Sequence, residues 1–174
     1  MNVDNKIWNE MKRVDAHARA SRWYVATQIK ISTLLKILIP FFTALSILFA
    51  GLEMKYYTII SAFLSFIIAV IKDFGSSVVL SDKDINKLGN IGVDFCNYKA
   101  DMEKTYAKIQ NKSLSPEDPT LLGCTTEWSK VVAEKEMELN KLIHWIPCWI
   151  KKRLANEQEE EFKLIFYKIE DEKQ

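Results

Sequence analysis

The sequence predicts an all-α membrane protein with an N-terminal stem helix, a two-helix transmembrane hairpin and a C-terminal cytoplasmic helical domain. Three observations predict it. Ile31–Leu52 is twenty-two residues long with a single charge, Lys36, and Tyr56–Ile71 is sixteen residues with none. Only Glu53, Met54 and Lys55 lie between them. Elsewhere apolar residues recur every three or four positions, and no stretch alternates with period two for long enough to make a sheet. The corresponding divisions are a stem, residues 1–30; a hairpin, residues 31–74, with spans 31–52 and 56–72; and a cytoplasmic part, residues 75–174.

A helix rises about 1.5 Å per residue, so crossing roughly 30 Å of hydrocarbon takes about 20 residues. The first run meets that length. The second is shorter, and extending it to Phe74 brings Lys72 and Asp73 to the interface, where a lysine can snorkel. The competing reading is a pair of buried helices in a soluble bundle.

At 174 residues the chain has room for one or at most two domains. Its mean hydropathy of -0.09 and 27% charged residues look soluble only because the charge lies almost entirely outside residues 31–71. A formal net charge of +1 gives no basis for bulk DNA or RNA binding. Cys96, Cys124 and Cys148 are odd in number and widely spaced, which argues against a disulfide framework and a zinc site and fits a reducing cytoplasm. A charge-rich stretch of thirty residues precedes the first apolar run, unlike a cleavable signal peptide. Lys6, Lys12, Arg13, Arg19, Arg22 and Lys30 stand before the hairpin, Lys72, Lys83 and Lys87 after it, and Lys55 alone in the turn. The positive-inside rule then places both termini of a multi-pass protein in the cytoplasm and the turn outside.

In the stem, Ile7, Met11, Val14, Ala18, Val25 and Ile29 form one apolar helical face, and neither Gly nor Pro interrupts the chain before Pro40. The helix is expected to run on into the first span. Arg19, Arg22, Trp23 and Tyr24 lie about two turns before the apolar run, where basic and aromatic residues act as interfacial anchors; the alternative is an anion site. His17 is a lone histidine with no ligand spacing around it.

Lys36, Pro40, Thr43, Ser46 and Ala50 make one polar or small stripe on the first span. Thr58, Ser61, Ser65, Ala69 and Lys72 make another on the second. Such stripes allow close helix approach and interhelical hydrogen bonds. They either face each other within one hairpin or also meet other copies, so that the hairpin self-associates and lines a pore. Lys36, inside the apolar run, is costly unless it faces protein, water or headgroups. Pro40 removes the helical partner of the Lys36 carbonyl and is expected to kink the helix.

Beyond the hairpin, Ser81 or Asp82 caps a helix in which Ile85, Leu88, Ile91, Phe95, Met102, Tyr106 and Ile109 share a face. Gly89 and Gly92 mark close packing against another helix. Ser113–Thr125, with two prolines and a glycine, predicts a loop. Thr125 or Thr126 then opens a helix with Trp128, Val131, Val132, Leu139, Leu142 and Ile146 inward, and Pro147 kinks or breaks it. Ile150, Leu154, Ile165 and Ile169 continue inward before an acidic, frayed tail. Trp145, Ile146, Trp149, Ile150 and Leu154 beside Lys151, Lys152 and Arg153 fit either an interfacial amphipathic segment or a core joint with a solvated basic edge.

Phosphate loops, dinucleotide fingerprints, zinc-protease helices and nucleophile elbows are all missing from the sequence. Carboxylates occur in solvated runs such as Glu159–Glu161, and His144 near Cys148 reflects helix spacing. An enzyme, a metal site and a bound cofactor are not expected.

The layout of RASRWYVATQIKIS (Arg19–Ser32), the tight two-span hairpin and the helical region after it resembles the small bacterial two-transmembrane effectors of the SLATT type and their relatives. The resemblance implies a homo-oligomeric membrane effector of antiphage, abortive-infection systems. Such an effector disrupts or permeabilises the inner membrane under control of a nucleotide second messenger, and carries no catalytic residues. If a cyclic nucleotide is the signal, Arg13, Arg19, Arg22, Lys151, Lys152 and Arg153 are the available counter-charges, and Trp or Tyr rings could stack on a base. A non-toxic membrane-anchored scaffold is the other reading of the same layout.

Overall fold

The computed structural model describes residues 3–74, 79–115 and 118–171, and every regular element among them is an α-helix. The helices are α1 (Val3–Gly51), α2 (Lys55–Phe74), α3 (Asp82–Gln110), α4 (Pro119–Leu142) and α5 (Cys148–Asp171). The chain divides into two compact units, Met1–Tyr24 with Lys87–Gln174, and Val25–Asn86. The side chains of Lys72, Ile165 and Ile169 and the end of the acidic tail, for which the sequence carries expectations, lie outside the described residues.

The first unit is built on the apolar stripes. Ile7, Met11, Val14 and Ala18 of α1 are buried, as are Leu88, Ile91, Phe95, Met102 and Ile109 of α3, Val132 and Leu139 of α4, and Ile150 and Phe162 of α5. Trp8 ties three helices together, its ring centroid 5.3 Å from that of Tyr106 and 5.0 Å, edge-on, from that of Phe162. Gly92 is buried, and a Cβ there would meet the Ser21 hydroxyl at 2.4 Å, so α1 and α3 approach closely because this residue has no side chain. Gly89 has open space around it.

Helix α4 starts earlier than the sequence suggests, at Pro119 rather than Thr125. The Asp118 carbonyl accepts from the N–H groups of Leu121 and Leu122, and a proline in the first turn has no N–H that needs a partner. Gly123 costs a helix interior only about 1 kcal/mol, less than the packing of Leu121 recovers. Pro147 breaks the helical pattern as expected: residues 143–147 are not helical, and the Pro147 carbonyl accepts from Ile150 and Lys151 to begin α5. At the end of α3, Lys112 adopts a left-handed φ of 56°, while Lys112 N–H bonds the Ile109 carbonyl and Ser113 N–H the Lys108 carbonyl. This pair of bonds closes the helix in a Schellman motif.

In the second unit α1 runs unbroken through Pro40 to Gly51. The turn repeats the same closure: Glu53 has φ 58°, its N–H bonds the Ala50 carbonyl, and Met54 N–H bonds the Phe49 carbonyl. Helix α2 follows at once. Ser81 is the cap of α3, its hydroxyl accepting from Asp84 N–H at 3.1 Å and donating to the Asp84 carboxylate at 2.6 Å. The stem stripe fades here, with Val25 half-buried and Ile29 50% exposed. Among the described residues α1 alone is long and apolar enough to cross a membrane; the apolar stretch of α2, Lys55–Ile71, is shorter.

Candidate functional site

Two features stand out, the apolar hairpin and a basic groove. Along the hairpin Leu34, Ile37, Phe41, Ile47 and Leu48 of α1 and Ile59, Ile60, Phe63 and Phe66 of α2 are exposed. The most apolar eighteen-residue window of α1 has none of its residues buried. A soluble surface rarely presents contiguous apolar area beyond a few hundred Å².

The polar stripes turn toward each other. Thr43 Oγ1 and Ser65 Oγ are 2.9 Å apart, Ser65 Oγ donates to the Ile39 carbonyl at 3.4 Å, and Ser46 Oγ donates to the Thr58 carbonyl at 3.3 Å. Ser61 is buried and donates to its own helix at Tyr57. Lys36 reaches back to Asp82 at 3.8 Å, and Pro40 is exposed. So Thr43, Ser46, Thr58 and Ser65 are used within one hairpin, where each hydroxyl finds an acceptor without water.

In the first unit, Arg19, Arg22, Trp23, Arg153 and Glu157 line a groove of about 340 Å³ over Ile150 and Leu154. The N-terminal half of α5 supplies one wall and the stem the other. The arginines differ. Arg19 is committed to an ion cluster, with Asp15 at 2.6 Å and Glu161 beside it, while Lys99 holds the same two carboxylates at 2.9 and 2.5 Å. Burial pushes the Asp15 carboxyl up, but the hydrogen bonds from Arg19 and Lys99 outweigh it and hold the group below the usual carboxylate range. Glu161 follows the same balance, burial opposed and overcome by Lys99 and Arg19. Arg153 bonds Glu157 at 2.8 Å, and Arg22 sets Nη2 2.6 Å from the Cys96 sulfur and makes no ion pair among the described residues. Arg22 is thus the cation in the groove most ready to take an anion, with the Trp23 ring beside it.

The other cations expected to gather here do not. Arg13 binds Glu136 in a two-pronged ion pair, Nε to Oε1 at 2.6 Å, and the same carboxylate takes His17 Nε2 at 2.6 Å. Burial raises the Glu136 carboxyl, and the hydrogen bonds and charges of Arg13 and His17 together reverse it. Lys151 lines a neighbouring groove of about 230 Å³ with His17, Ala20 and Ile146, and Lys152 is exposed. Nor are Arg19 and Tyr24 interfacial anchors: Tyr24 is 6% exposed, and Arg19 is in the cluster just described. Asp15, Lys99 and Glu136 escaped the sequence reading, and Glu161, expected in a solvated run, is instead paired with Arg19 and Lys99. Asp15 had one local signal, its four-residue spacing to Arg19; the other three had none. No family model, curated protein or solved structure matches the chain.

Proposed function

We propose that the chain is a bacterial inner-membrane effector. Its hairpin crosses the bilayer with both termini cytoplasmic, and its α1–α3–α4–α5 unit takes an anionic signal of the nucleotide second-messenger class. The exposed apolar surface of α2 and of α1 from Ile29 onward carries the reading: each large side chain moved from water into hydrocarbon gains roughly 1.5–3 kcal/mol. The short second helix spans by carrying its ends into the interfaces, where local thinning costs fractions of a kcal/mol per Å. Arg22, Trp23 and Arg153 are the contacts for the signal, and the effector has no catalysis of its own. Since the hydroxyl stripes are occupied within the hairpin, assembly of copies into a pore or lesion uses the outward Ile and Phe surfaces.

A second reading, an inert anchor for a helical interaction module, is favoured by the Thr43–Ser65 bond, which makes the stripes ordinary packing. Expression of the full chain in a bacterium, with membrane potential followed by a dye and cyclic nucleotides supplied in turn, separates the two. Depolarisation with any of them, or without, supports the effector. Polarised cells under every condition, with the chain in the membrane fraction, leave the anchor.

A further inference from the structure

Trp145 and Trp149, which a core joint would bury, are 70% and 68% exposed. Trp145 lies in the break between α4 and α5 and Trp149 in the first turn of α5, with Cys148 also exposed beside them. From Leu139 to Asn156 the chain carries Lys141, Lys151, Lys152 and Arg153 and no carboxylate. All four basic residues are exposed. Indole rings next to lysines and arginines suit the water–lipid boundary, where the ring sits among headgroups and the cations meet anionic lipid. Near an anionic leaflet each such cation strengthens binding about fivefold. Ile150, one residue after Trp149, is buried in the groove beside Arg22 and Trp23, so α5 begins against the part of the stem that stands about two turns before Ile31 in the chain.

The geometry points to the α4–α5 joint as a second membrane contact: Trp145 and Trp149 enter the headgroup layer of an anionic bilayer surface, and Lys151 and Lys152 neutralise its lipids. The inference rests on the hairpin being in the membrane. Its occupant is a lipid surface rather than an acidic protein because two large indoles stand exposed among the cations, and an interface of headgroups accepts them without a shaped pocket.

The test uses the full chain with Cys96→Ser and Cys124→Ser, which leaves Cys148 as the one thiol. An environment-sensitive fluorophore on Cys148 is followed in vesicles of phosphatidylcholine, alone or mixed with phosphatidylglycerol, with and without brominated acyl chains. A parallel chain carries the label on Phe63→Cys with Cys148→Ser. We expect the Cys148 label to shift to the blue and be quenched by brominated lipid severalfold more with phosphatidylglycerol present, and to return to water in Lys151→Gln/Lys152→Gln. A wet Cys148 label beside a quenched Phe63→Cys label overturns the joint as a membrane contact and leaves the hairpin standing. Two wet labels overturn both. A label shielded from water yet untouched by brominated lipid identifies a second copy as the occupant, and overturns the proposal as well.

Discussion

Gly92 faces Ser21 so closely that a Cβ on the glycine would stand 2.4 Å from the serine hydroxyl and 3.4 Å from its Cβ. Ser21 is completely buried and donates to the Ala18 carbonyl at 2.9 Å, so it has little freedom to move aside. Gly92→Ala is therefore expected to destabilise the protein by about 1–3 kcal/mol, despite the better helix propensity of alanine. In a Ser21→Ala background the clash reduces to the 3.4 Å contact, and the same change should be close to neutral. Thermal unfolding of the four chains in detergent checks it. Equal destabilisation in both backgrounds would show that the approach at Gly92 is not set by the Ser21 hydroxyl.

Lys99 is the hub of the stem cluster, bonded to both Asp15 and Glu161. Lys99→Met leaves Asp15 buried with Arg19 as its one remaining cation, and we expect a loss of about 2 kcal/mol. That figure is discounted from the cost of breaking a fully buried pair because Glu161 is 44% exposed. Unfolding by denaturant at neutral pH measures it.

This cluster and the separate Arg13–Glu136 pair set an acid limit. Asp15, Glu136 and Glu161 all have carboxyls held below their unfolded values, so the unfolded chain binds protons first as pH falls. Their contribution is full above about pH 4–5, where the unfolded carboxyls titrate, and is lost as pH falls through the lower folded values. A plot of unfolding temperature against pH should be flat near neutrality and drop on the acid side. Lys99→Met should make that drop shallower, since one source of the lowered pKa is gone.

Lys112 holds a left-handed backbone that a side chain makes unfavourable. Lys112→Gly should raise stability by about 0.5–1 kcal/mol, because the Schellman closure at the end of α3 is kept and the Cβ cost removed. A lower unfolding temperature would mean that the lysine side chain contributes more than the turn geometry costs.

Within the hairpin, Thr43→Val and Ser65→Ala each remove one side of the 2.9 Å contact. A double-mutant cycle read by unfolding in bicelles should give a coupling of about 0.6 kcal/mol, the usual size for an interhelical hydrogen bond in lipid. Membrane insertion should survive in both. A coupling near zero would separate the two stripes.

The elements themselves were legible in the chain. Apolar spacing marked every helix, Ser81 announced the start of α3, Pro147 the break before α5, and the two apolar runs the hairpin. The start of α4 was misplaced because Ser113–Thr125 is rich in breakers, although Pro119 is itself an acceptable first-turn residue. Local propensity and capping act over a few residues and are written in order along the chain. Pairings across the fold are not. Arg19 meets Glu161 and Arg13 meets Glu136 only after the helices pack, and that packing makes internal partners of Arg13, Asp15, Arg19, Lys99, Glu136 and Glu161. It also decides that Trp145 and Trp149 stay outside, since Ile150 and Phe162 already fill the face of α5 turned to the core. Burial depends on which side chain reaches the shared interior first in space, and no spacing along the sequence encodes that.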